Sequence, residues 1–108
     1  KRQIRTYLDG VPVEKFKNII IGYEPVWTVG VNKNLTVVAL KKNVTYIKEL
    51  INKLYNVDIP VVYGGSINSS NIEKFNKIEC VDGFLVGGAS LKPAFTNIVN
   101  AYSKKFNI

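Results

Sequence analysis

The sequence has no histidine, no methionine and a single cysteine among its 108 residues. Without an imidazole, Ser-His and Cys-His nucleophilic pairs, histidine electrophiles and His-ligated metals are excluded within this chain. The lone Cys80 cannot form an internal disulfide or a Cys-rich zinc site, which suits a reducing compartment. The missing methionine and the opening Lys1 raise the expectation of a piece of a longer chain. Long apolar runs are also missing. The longest strong one, Ile19-Ile20-Ile21, is far below the ~20 residues that span a bilayer. The basic start KRQIRTYLDG has no apolar run behind it and does not read as a signal peptide. The expectation is a cytoplasmic protein with no membrane partner.

What is present suits a small globular domain: 46% hydrophobic residues and 21% charged ones. Lys and Arg total 15 against 8 Asp and Glu, a formal charge of +7. The basic residues are scattered, with Lys1, Arg2 and Arg5 at one end, Lys41 and Lys42 mid-chain, and Lys104 and Lys105 at the other. A nucleic-acid surface would gather them on one face, so no nucleic-acid partner is expected. An anionic small ligand makes better use of the positive field.

Along the chain, Ile4, Tyr7, Leu8 and Val11 follow helical spacing, and Gly10 can close the helix in the left-handed region. Ile19 to Glu24 is short, β-branched and ended by Pro25, the pattern of a strand buried on both faces. Thr36 can cap a long helix whose core face is Leu40, Val44, Ile47, Ile51 and Leu54. The strand Val61-Val62-Tyr63 stops at Gly64-Gly65-Ser66, and Asn68 or Ser69 caps a short helix with Ile72 and Phe75 inward. Gly83 to Val86 forms a third strand, stopped by Gly87-Gly88. Pro93 suits the first turn of a last helix that buries Phe95, Ile98, Val99 and Tyr102. Apolar strands alternating with helices predict an α/β architecture with three parallel strands and right-handed crossovers.

The informative residues fall just after strand C-terminal ends, the edge where α/β proteins bind ligands. Glu24 ends an apolar strand beside Pro25 and Trp27. Burial there would raise a carboxylate's pKa toward that of a base working near neutrality. An ordinary strand-end acid, solvated or paired with a lysine, is the other reading that position leaves open. The pairs Gly64-Gly65 and Gly87-Gly88 present backbone N–H groups without a Cβ to block close approach. Two such turns on adjacent strands can cradle an anion; equally, each can be a tight turn that needs positive φ. The stretch from Pro25 to Leu35 exceeds the ~2–6 residues of a passive βα loop, which favours a mobile lid. Tyr63 fits either the core or a contact to that lid. Cys80 reads as a packing residue and Asp82 as turn chemistry.

YEPVWTVG (Tyr23 to Gly30), YGGS (Tyr63 to Ser66) and VDGFLVGGASLKP (Val81 to Pro93), in this order and spacing, resemble the triosephosphate isomerase family. The resemblance implies that residues 1–108 are the C-terminal portion of a (β/α)8 barrel, from the fifth helix through the eighth strand–helix unit. A whole barrel is typically ~250 residues. The implied activity is the interconversion of dihydroxyacetone phosphate and D-glyceraldehyde 3-phosphate through an enediol intermediate, a step of glycolysis and gluconeogenesis. Glu24 is then the catalytic base. Gly30, Ser66, Gly87 and Gly88 become phosphate-binding positions; Pro25, Val26 and Trp27 become the lid's entry hinge, and Tyr63 with Ser66 its latch. No metal and no organic cofactor is implied, and a homodimer is the family's habit.

Three departures accompany the resemblance. Where the family's lid continues Thr-Gly-Lys-Thr-Ala, this chain has Val31-Asn32-Lys33-Asn34-Leu35. Asn32 in place of glycine restricts φ, and Asn34 with Leu35 alters the far hinge. The family's upstream Asn and Lys, and its electrophilic His, have no counterpart here. These residues alone are therefore expected to be inactive or nearly so. The alternative function is a partial barrel that binds sugar phosphates without turnover.

Overall fold

The structure, a computed structural model, describes residues 2–25 and 34–105. Helix α1 (Arg2–Leu8) leads, through Gly10 at φ +84°, into a 3-10 turn over Val13–Asn18. Strand β1 (Ile21–Tyr23) follows, then α2 (Val37–Tyr55), β2 (Val61–Tyr63), α3 (Ile72–Asn76), β3 (Gly83–Phe84), a 3-10 turn (Gly88–Leu91) and α4 (Phe95–Lys105). The three strands form one parallel sheet in the order β1-β2-β3. Ile21, Gly22 and Tyr23 pair with Val61, Val62 and Tyr63, and Val62 and Tyr63 pair with Gly83 and Phe84. The ladder runs one step further at the carboxyl edge. There Gly64 N–H donates to Tyr23 O and Leu85 N–H donates to Tyr63 O, both at 2.9 Å.

Helix α2 forms where the spacing predicts it. The Thr36 hydroxyl accepts the Ala39 N–H at 3.1 Å, satisfying one of the free donors of the first turn. The helix stops at Asn56, which takes the left-handed conformation (φ 55°, ψ 39°) and donates its N–H to Asn52 O. Leu40, Val44 and Ile51 on the expected face are fully buried, and Leu50 joins them in place of Leu54. Leu40 and Val44 build the main core with β2, where Val61, Tyr63, Ile72 and Phe75 are inaccessible or nearly so. A second cluster joins Leu8, Phe16, Ile51 and Ile59, with Phe16 set edge-on to Tyr55 at 5.1 Å. Phe16 comes from the 3-10 turn, which sequence spacing does not reveal because six residues hold too little periodicity.

Three expectations need correction. The strands are not buried on both faces: β1 alternates between partial burial and exposure, and Ile20 beside it is 66% exposed. Beside the sheet an open apolar groove of about 420 Å³ is lined by Ile20, Val62 and Val86 and, from α4, Val99, among others. Val99 is 47% exposed for the same reason, while Ile98, about 100° around α4, is buried. Third, Asp82 does more than shape a turn. Its carboxylate accepts the Val61 N–H at 2.8 Å and holds the Lys48 ammonium at 2.7 Å, tying β2, β3 and α2 together at the edge opposite the glycine turns. Tyr102 completes that tie by donating to Asp82 O at 2.7 Å.

Candidate active site

A parallel sheet sends all its strand C-termini to one edge, so Glu24, the Gly64-Gly65-Ser66 turn and Gly87-Gly88 share it. Glu24 and Gly64 directly follow the paired Tyr23 and Tyr63. A Cβ built on Gly64 would sit 3.4 Å from Glu24 Cγ, so the carboxylate stem lies across the start of the glycine turn. Of the two readings of Glu24, buried carboxyl or solvated strand-end acid, the fold shows the exposed one, whereas Pro25 is buried. Val26, Trp27 and Gly30, expected as hinge and phosphate contact, lie outside the described residues, as do Val31, Asn32 and Lys33.

Tyr63 resolves its two readings by doing both. Its ring is fully buried and packs at 5.6 Å from Phe75, while its hydroxyl reaches the far end of the Pro25–Leu35 segment. There it accepts the Leu35 N–H at 3.2 Å and donates to Asn34 Oδ1 at 3.0 Å. Burial pushes the Tyr63 phenol above its ordinary value of 10.0. The Leu35 N–H pulls it back and the neighbouring Tyr23 adds a smaller push upward. The phenol therefore stays a donor throughout the neutral range.

The same Asn34 side chain pairs with the backbone of Ser66 on both sides. Oδ1 accepts the Ser66 N–H at 2.7 Å and Nδ2 donates to Ser66 O at 2.9 Å. Asn71 Nδ2 also donates to Ser66 O, at 2.7 Å. Asn68 Oδ1 accepts the N–H groups of Ser70 and Asn71 in the turn before α3, but the helix N-cap is Asn71, not the expected Asn68 or Ser69, and its side chain makes no capping bond. The Ser66 peptide is thus oriented by two asparagines. Asn34 carries no sequence signal for this role, because the pairing depends on a fold that brings residues 32 positions apart together.

The glycines of the two turns differ from the expected positive-φ turns. Among the described glycines only Gly10 has positive φ. Gly65 is required by crowding: a Cβ there would fall onto the Tyr63 hydroxyl and ring and onto Asn34 Oδ1. Gly87 and Gly88 are exposed, and a Cβ on either would meet nothing within 4 Å. Gly87 O accepts both the N–H and the hydroxyl of Ser90, at 2.9 and 2.6 Å. Cys80 is partly buried, and its Sγ accepts from the Thr45 hydroxyl at 3.7 Å, in keeping with a packing role. Among the described residues, no group of His, Cys, Asp and Glu side chains is placed to hold a metal ion. No described helix is long and apolar enough to cross a membrane.

Comparison with known proteins identifies the family. Residues 1–102 match the family profile described as triosephosphate isomerase. The triosephosphate isomerase of Alkaliphilus oremlandii is 38% identical over 105 residues, covering 93% of this chain and 42% of that protein. The chloroplastic triosephosphate isomerase of Fragaria ananassa is also 38% identical, over 95% of this chain and 34% of its own length. That of Mycoplasmopsis agalactiae reaches 43% over 84% of this chain and 33% of its own. The chain therefore spans about 42% or less of these curated relatives' length, but nearly all of it aligns. It belongs to the triosephosphate isomerase family.

Proposed function

We propose that residues 1–108 form one partial-barrel domain, running from the fifth helix to the eighth strand–helix unit of a (β/α)8 barrel. It contributes the base, the lid and most of the phosphate site of a triosephosphate isomerase. In this reading Glu24 removes a proton from the carbon beside the substrate carbonyl, leaving an enediol, and returns it to the neighbouring carbon. The substrate pair is dihydroxyacetone phosphate and D-glyceraldehyde 3-phosphate. The carbonyl needs an electrophilic partner while charge develops on its oxygen. No histidine in this chain can supply one, so that partner comes from outside these residues.

The observation that carries the reading is the shared edge: Glu24 lies across the start of the Gly64-Gly65-Ser66 turn, one strand from Gly87-Gly88. Gly87 and Gly88 add support of a different kind. Neither positive φ nor crowding within the fold demands glycine there, which leaves close approach of a ligand as a physical reason for it. Ser66, Gly87 and Gly88 are accordingly assigned to the phosphate, with Gly30 from the lid; Pro25, Val26 and Trp27 hinge the lid and Tyr63 latches it. Closure excludes water from the enediol, strengthening the electrostatics around it and protecting it from side reactions. The working assembly is a homodimer in a reducing, cytoplasmic setting, with no metal or organic cofactor.

The test is isomerase turnover after these residues are complemented with the upstream part of a triosephosphate isomerase, with and without Glu24→Asp, which withdraws the carboxylate by one methylene. A displacement of that size is expected to lower kcat on the order of 100-fold with little change in KM. Turnover unaffected by the substitution would remove Glu24 from the role. The absence of histidine favours the alternative, phosphate binding without turnover, for these residues acting alone. Calorimetry separates the two, since a competent enzyme tightens on a planar enediolate mimic far more than on phosphate.

A further inference from the structure

We propose that the Asn34 carboxamide is a built-in competitor for the anion, occupying the Ser66 N–H that a phosphate oxygen would otherwise take. The inference rests on the reading that Ser66 is a phosphate contact. Its own support is the set of bonds around Asn34. A carbonyl oxygen has two lone pairs, and both on Oδ1 are used, one by Ser66 N–H at 2.7 Å and one by the Tyr63 hydroxyl at 3.0 Å. The Ser66 N–H is therefore already satisfied by a neutral acceptor in the place an anion would seek.

The arrangement lets that acceptor leave without loss of the site. When Asn34 departs, Gly65 O, in the same peptide plane as the Ser66 N–H, keeps its bond from Ile67 N–H at 3.0 Å, and Ser66 O keeps its bond from Asn71 Nδ2 at 2.7 Å, so the N–H still points at the vacated position. A phosphate oxygen is a charged acceptor and makes the stronger hydrogen bond, so it can displace the carboxamide. Displacement also reaches the lid. Oδ1 shares the Tyr63 hydroxyl with the Leu35 N–H, so an anion arriving at Ser66 removes one of the bonds that hold residues 34 and 35 to Tyr63. The Leu35 N–H keeps its bond to the Tyr63 hydroxyl, so the latch at residue 35 outlasts the exchange at Ser66.

The test follows the backbone amides of Ser66, Gly87 and Gly88 in the isotope-labelled full chain during titration with inorganic phosphate. Asn34→Ala vacates the Ser66 N–H and is expected to tighten phosphate about 3- to 10-fold, the worth of one neutral hydrogen bond no longer broken. Asn34→Asp keeps two acceptor oxygens at the same place and adds like charge, so it is expected to bind phosphate more weakly than the parent. Opposite signs are the signature, because a residue that only braces the loop would lose affinity in both variants. Asn34→Ala binding no tighter than the parent overturns the proposal. Should the alanine variant fail to fold, Asn34→Asp binding as tightly as the parent does the same. In either case, Gly87 and Gly88 amides that still respond to phosphate leave the phosphate site standing. If those two amides stay unmoved in every protein, the phosphate reading itself fails and this inference falls with it.

Discussion

The two glycine pairs at the carboxyl edge of the sheet are the same dipeptide under opposite constraints. Gly65 sits against the Tyr63 hydroxyl and Asn34, where no Cβ fits, whereas Gly87 and Gly88 face open space. Gly65 is glycine for the sake of the fold: it lets the backbone pass over a buried tyrosine while Asn34 reaches Ser66. No crowding inside the fold asks for the second pair. A glycine that the fold does not need, at the edge where ligands bind, points outward to what must come close. The contrast separates residues that build the site from residues that meet a substrate, a distinction the dipeptide alone does not carry.

Substitution at the crowded turn should have the largest effect on stability. Gly65→Ala forces a methyl into the Tyr63 ring and Asn34, neither of which can retreat, because Tyr63 is fully buried and Asn34 is held by three hydrogen bonds. Overpacking of this kind costs about 1–3 kcal/mol, measurable as a lower denaturant midpoint with an unchanged slope. Wild-type stability in this variant would mean that the turn is looser than its packing suggests. A loss of similar size is expected for Tyr63→Phe, which keeps the ring and removes the two bonds to Leu35 and Asn34, at about 0.5–1.5 kcal/mol for each bond.

The same variant sharpens the comparison through pH. Burial raises the Tyr63 phenol above 10.0, so the folded state holds this proton more tightly than the unfolded chain. The resulting stability is complete below pH 10 and is lost as pH rises through the folded-state value. Unfolding curves from pH 8 upward should therefore show an alkaline decline that is reduced in Tyr63→Phe. An identical decline in both proteins would assign it to other groups.

Periodicity and caps carried most of the fold because they are local. Thr36 before α2 and the apolar stripe through Leu40, Val44 and Ile51 could be read directly, as could the strand Val61–Tyr63. The exposed face of β1 could not, since Ile19-Ile20-Ile21 looks the same whether one face or both are covered. At the candidate site, position along strands brought Glu24, Ser66, Gly87 and Gly88 to one edge. What the residues cannot announce is pairing across distance. Asn34 reads as a changed hinge residue until the fold sets its carboxamide on Ser66, and Asp82 reads as a turn former until Lys48 meets it. Whether Glu24 is buried or solvated stayed open in the sequence, because apolar neighbours along the chain do not say what packs against a strand end; the fold leaves it exposed.

The open turn should show the smallest change in stability and the clearer change in binding. Gly88→Val adds a side chain where nothing lies within 4 Å, so the fold should lose no more than about 0.5 kcal/mol. If the N–H groups of this turn meet a phosphate, the added side chain stands in the ligand's path. A hydrogen bond to a charged group is worth about 1.5–3 kcal/mol, so losing one weakens phosphate on the order of tenfold or more. Calorimetric titration with phosphate, paired with a denaturation curve, reads both quantities from one preparation. Unchanged affinity with unchanged stability would leave Gly87-Gly88 a plain turn and dissolve the contrast with Gly64-Gly65. Lost stability would show instead that this pair also serves the fold, through contacts made only when the groove beneath it is filled.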